Sequence, residues 1–145
     1  MTRRDPGTLL RVYLWVVMAG LLLQGAGSLL TWFWPDVRAA TPTLLATVMN
    51  GNPPHAWLHV AWGAAGLLFL SLYRTPGARI SLGLAFGAFY TALGFLGIAV
   101  HHPFEMRLEL PENVFHLTVG PLMLLLTWLA SGARRQRPVG QGLDD

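Results

Sequence analysis

The stretch PPHAWLHVAWGAAGLLFLSLY, residues 53–73, carries no charged side chain and opens on two prolines. Asn52 ahead of Pro53 reads as an N-cap, with proline at the first helical position where its missing N–H costs nothing. Crossing a hydrocarbon core of ~30 Å takes about 20 predominantly apolar helical residues, and this stretch supplies them before Arg74 ends it. It predicts a membrane-spanning helix over 54–73.

Three further charge-free runs flank it. Val12–Trp34 is interrupted only by Gln24, Ser28 and Thr31 and predicts a helix over 9–34. Ile80–Val100 predicts one over 80–100, and Val114–Ala130, with Glu112 and Asn113 in its first turn, one over 112–130. A short turn containing Pro76 and Gly77 joins the second and third runs. Asp36–Asn52 and His101–Pro111 form the two loops on the other face. Of the 145 residues 53% are hydrophobic and 12% charged, half the charge of an ordinary soluble domain at about 25%. That balance excludes a disordered chain, a basic nucleic-acid-binding domain and a soluble globular fold; the partner it demands is the lipid bilayer. Strand patterning, a phosphate-binding glycine loop and a Ser-His-Asp order are missing. With no cysteine, disulfides and thiolate metal sites are excluded as well. The expected fold is an all-α four-helix transmembrane bundle, one domain over residues 1–132, with a flexible cytoplasmic tail over 133–145. A cleaved signal peptide ending at Gly25-Ala26-Gly27 would explain the basic N-terminus, but apolar residues resume at Leu29 and reach Trp34, which favours a true span.

The arginines orient it. Arg3, Arg4, Arg11, Arg74, Arg79, Arg134, Arg135 and Arg137 lie on one side of the bundle, Arg38 and Arg107 on the other. By the positive-inside rule both termini are cytoplasmic, in the cell's inner (plasma) membrane. Trp15 and Trp128 then stand near the inner interface and Trp32, Trp34 and Trp57 near the outer one, as an aromatic belt requires.

All five histidines, His55, His59, His101, His102 and His116, fall at the outer face in this topology. The helix starts also repeat: Pro54, His59 and Gly63 recur as Pro111, His116 and Gly120, and His55 aligns with Glu112. Because each hairpin starts inside, the two halves would be parallel repeats. Leu58-His59-x-x-x-Gly63 and Phe115-His116-x-x-x-Gly120, in a small chain with glycine-rich odd helices, resemble an uncharacterised family of small bacterial four-helix integral membrane proteins. The resemblance covers roughly residues 9–130 and implies that fold with no assigned activity; it brings no catalytic residue.

Residues four apart share a helix face, so His55 pairs with His59, and Glu112 with His116. If these faces turn inward, four donors converge. His55, His59, Glu112 and His116 would suit a transition-metal ion, zinc, copper or iron, and one carboxylate with two or three imidazoles resembles catalytic zinc sites. His59 and His116 alone, at equivalent positions, would suit the axial ligation of a haem, with Gly20, Gly27, Gly63, Gly87, Gly94 and Gly120 making room for the ring. The same glycines also read as helix-packing surfaces, and the same histidines as polar glue. Gln24 is expected to donate a hydrogen bond to a neighbouring helix. His55 should be the most exposed of the cluster, and His101-His102 a helix end rather than a ligand pair. Three functional readings stay open: a metal- or haem-binding membrane protein, an accessory subunit packed in a larger membrane complex or homo-oligomer, and a membrane metalloenzyme.

Overall fold

Prolines set the helix starts. In the computed structural model, which describes residues 5–49, 51–100 and 102–135, α1 spans Pro6–Phe33, α2 Pro35–Ala40, α3 Thr43–Val48, α4 Pro53–Leu72, α5 Pro76–Val100 and α6 Leu110–Arg135. Among the described residues, α1, α4, α5 and α6 are long and apolar enough to cross a membrane, and there is no strand. His101 and the tail from residue 136 onward lie outside the described residues, as do Arg3, Arg4 and Asn50.

The expected boundaries shift for local reasons. Asp5 caps α1 by accepting from Thr8 N at 3.2 Å, so that helix starts three residues before the expected Leu9. Thr75 caps α5, its Oγ1 accepting from Ala78 N at 3.2 Å, and this draws Pro76–Arg79 out of the expected turn and into the helix. α6 continues past Ala130 to Arg135, where Arg134 and Arg135 complement the negative end of the helix dipole. Residues 133–135, expected in the tail, are thus part of α6. The segment Asp36–Asn52, expected as a plain loop, holds α2 and α3. Asn52 is the N-cap of α4 but makes no side-chain cap bond. Its Nδ2 donates to Glu105 O at 2.7 Å and its Oδ1 accepts from Arg107 N at 3.1 Å, joining the two loops at this end of the bundle.

The surface is apolar and the interior partly polar. On α1 the buried positions Leu10, Leu14, Met18, Leu21, Gly25, Ser28 and Thr31 recur every three or four residues, the spacing that keeps one seam against neighbours. Val16, Leu23, Leu68, Leu72, Phe95 and Trp128 face outward. In lipid, apolar burial does not drive helices together; close packing at small residues does. A Cβ added at Gly63 would stand 2.5 Å from Leu22 N and 2.7 Å from Met18 O on α1. One added at Gly120 would stand 2.6 Å from Thr91 N on α5. The glycines at the fourth place after His59 and His116 thus let backbone meet backbone. α1 packs along α4 and also meets α6, which packs along α5. The backbones of α4 and α5 approach only sparingly; Trp62 packs on Phe86 and Tyr90 between them, and an apolar cleft of about 570 Å³ opens between Trp57, Leu58, Phe89 and Leu93. One end of the core is apolar, built on Leu10, Leu14, Met18, Phe86 and Met123. The other end holds the histidines.

Candidate metal centre

His55 and His59 stand one turn apart on one face of α4, with ring centroids 4.3 Å apart. His116 faces them from α6, its ring centroid 5.3 Å from His55 and 6.0 Å from His59. His59 and His116 each lie six residues into their helices, so both sit about 9 Å along the axis from its start. Each also rests on a glycine of the preceding span. A Cβ at Gly25 would meet His59 Cβ at 3.0 Å, and one at Gly94 would meet His116 Cβ at 3.2 Å.

All three rings are buried, at 2% exposure for His55, 3% for His59 and 0% for His116. The burial of His55 overturns the expectation that it is the exposed member. Gly51 lies over it, with Ser28 Oγ and Gln24 Nε2 close to the same point, and the Asn52 bridge holds this loop down. One potential ligand atom from each of His55, His59 and His116 lies within 4.8 Å of the others. Glu112 is not a member of that set. It sits a turn closer to the start of α6, and its Oε2 is buried with no hydrogen-bond partner. His102 lies beyond the end of α5 and is exposed.

Hydrogen bonds decide which ring nitrogen of His59 carries the proton. Gln24 Nε2 donates to Val48 O at 3.0 Å and to Ser28 Oγ at 3.1 Å. A backbone carbonyl only accepts, so the amide nitrogen must face Val48, and the amide oxygen is left facing His59 Nδ1 at 2.5 Å. His59 Nδ1 is therefore the protonated nitrogen and Nε2 carries the free lone pair. That Nε2 is buried without a hydrogen-bond partner, as are His55 Nδ1 and His116 Nδ1. His55 Nε2 and His116 Nε2 lie 3.4 Å apart.

Two contributors escape a sequence reading. Gln24 was expected to donate to a neighbouring helix; it donates to Val48 O, at the last residue of α3, and also accepts from His59 on α4, which was not foreseen. A lone amide in an otherwise apolar run signals an interior partner but not which one. Tyr90 on α5 stacks on His59 at 5.9 Å between centroids and stands edge-on to His116 at 5.2 Å. Its hydroxyl is buried without a partner. The only sequence signal for it is a tyrosine in the middle of a membrane run.

Five of the six glycines expected to make room for a flat ring are filled by neighbours. Gly63, Gly87, Gly94 and Gly120 meet adjoining helices, and Gly27 meets Met49. Gly20 faces open space. Comparison with known proteins gave no match to a family model, a curated protein or a solved structure.

Proposed function

We propose that this chain is a multi-pass membrane protein that binds one transition-metal ion through the Nε2 atoms of His55, His59 and His116. The observation that carries the reading is the 3.4 Å separation of His55 Nε2 and His116 Nε2. As an N–H···N hydrogen bond that distance is long. Two nitrogens bound to one tetrahedral ion at ~2.0–2.1 Å stand about 3.3 Å apart. The pair is thus already spaced as one edge of a tetrahedron, and a ring nitrogen of the third histidine lies within 4.8 Å of the group. The free lone pair of His59 and the carbonyl oxygen on its other nitrogen match the usual support of a metal-bound imidazole. Three buried imidazoles suit zinc, copper or iron and leave a fourth position for water or substrate. That open position is what a membrane metalloenzyme would use.

Haem fits less well. His55 and Tyr90 pack against both His59 and His116, and five of the six glycines meant to widen the space are packed. The bundle as two parallel repeats, both termini cytoplasmic, and membership of the small bacterial family belong to the same proposal. The paired glycine supports under His59 and His116 support the repeat, and the arginine distribution supports the orientation.

Titration with Co²⁺ tests the reading. Purified protein in detergent should develop the intense visible bands of tetrahedral cobalt, saturating at one ion per chain, and zinc should bleach them by displacement. A Soret band in the isolated protein would favour haem. Cobalt spectra no different from the hexaaqua ion would leave the histidines as polar glue in an accessory subunit.

A further inference from the structure

At the end of the bundle opposite the histidines, three arginines from three helices line one pocket. Arg11 comes from the second turn of α1, Arg79 from the first turn of α5 and Arg134 from the last turn of α6. The pocket measures about 160 Å³, and its floor is apolar, with Leu10, Ile80 and Ala130. Asp5 is the only acid among the described residues that line it. Two of the guanidinium groups are placed by neighbours. Arg79 Nη2 donates to Arg74 O at 2.7 Å, and Arg134 Nη1 lies across the first turn of α5, 3.2 Å from where a Cβ on Gly77 would stand. Neither Arg11 nor Arg134 makes a hydrogen bond or ion pair within the described residues.

Three fixed cations around one opening repel one another, and among the described residues Asp5 is the one carboxylate that lines it. Guanidinium does not deprotonate, so this charge cannot be relieved by losing protons. An anion with several acceptor oxygens relieves it, and the planar fork of arginine matches phosphate oxygens two at a time. The apolar floor beneath the charged rim matches a phosphate attached to a hydrophobic body.

We propose that Arg11, Arg79 and Arg134 form a binding site for a phosphate group at the membrane surface, presented by an anionic phospholipid headgroup or by free phosphate. The site is independent of the metal centre and lies at the other end of the bundle. Delipidated full-length protein, titrated with phosphatidylglycerol and followed by native mass spectrometry, should retain one lipid per chain above the non-specific background. Arg11→Gln, Arg79→Gln and Arg134→Gln should each weaken that binding roughly five-fold, the share of one arginine near an anionic surface. Arg38→Gln and Arg107→Gln, at the other end, should leave it unchanged. Asp5→Asn keeps a capping side chain and removes the one acidic charge among the described residues that line the pocket, so it should tighten binding, a gain that a folding defect cannot imitate. A parallel arm measures thermal unfolding with inorganic phosphate. Arginine-dependent stabilisation there, with no arginine-dependent lipid retention, assigns the site to free phosphate; the reverse assigns it to lipid. Equal lipid retention and equal phosphate response in the triple arginine variant and the Arg38/Arg107 controls would overturn the site.

Discussion

Gln24 commits every polar atom of its amide: the nitrogen to Val48 O and Ser28 Oγ, the oxygen to His59. If this fixes the metal-facing nitrogen of His59, Gln24→Leu should lower Zn²⁺ affinity about 10–100-fold, the usual effect of losing an outer partner of a ligating histidine. Competition with a chromophoric chelator measures it, and unchanged affinity would mean that His59 orients itself. The expected loss is smaller than that from His59→Ala, which removes a ligand outright. At this scale the sequence was half legible. The spacing of His55 and His59 places both on one face of a helix whatever the tertiary structure, and the recurrence of His116 six residues into its own helix adds the third. The partners of Gln24 were hidden because they depend on the return of the chain through α2 and α3, which brings Val48 at the end of α3 beside α1. The burial of His55 was hidden for the same reason, since it follows from Gly51 and the Asn52 bridge rather than from position along α4.

Among the helices the glycines separate by what stands opposite them. Gly63 faces the backbone of α1, and a Cβ there would lie 2.8 Å or less from three atoms of Met18 and Leu22. Gly20 on α1 has nothing within 4 Å of its Cβ position. One substitution should therefore act in opposite directions. Gly63→Ala should destabilise the bundle by ~1–3 kcal/mol through overpacking against a backbone that cannot yield. Gly20→Ala should leave stability unchanged or raise it by up to about 1 kcal/mol through helix propensity. Unfolding in mixed detergent micelles reads both, and equal effects would show that α1 and α4 do not meet at Gly63. The four long helices were legible because charge-free runs bounded by arginine, proline and acidic residues leave the chain no other way to satisfy its backbone in lipid. Their ends moved by a few residues because Asp5 and Thr75 supply caps that hydropathy does not weigh. The short helices α2 and α3 carry no periodic pattern long enough to reveal them.

For the molecule as a whole, apolar side chains cover much of the outside, with the buried histidines towards one end and the pocket of Arg11, Arg79 and Arg134 at the other. The arginine imbalance predicts a cytoplasmic C-terminus. A C-terminal green fluorescent protein fusion should fluoresce and an alkaline phosphatase fusion should be inactive; the opposite pair of results would invert the bundle and put the histidines inside. Either orientation preserves the central claim, that the three buried imidazoles are a metal site. Elemental analysis of the purified protein tests that claim most directly, run beside His59→Ala and His116→Ala variants matched for helical content by circular dichroism. The wild type, grown with zinc, copper and iron supplied, should carry close to one transition-metal ion per chain, and either variant should carry almost none, because a three-ligand site cannot spare one. A metal-free wild type, or variants that hold as much metal as the wild type, would contradict it.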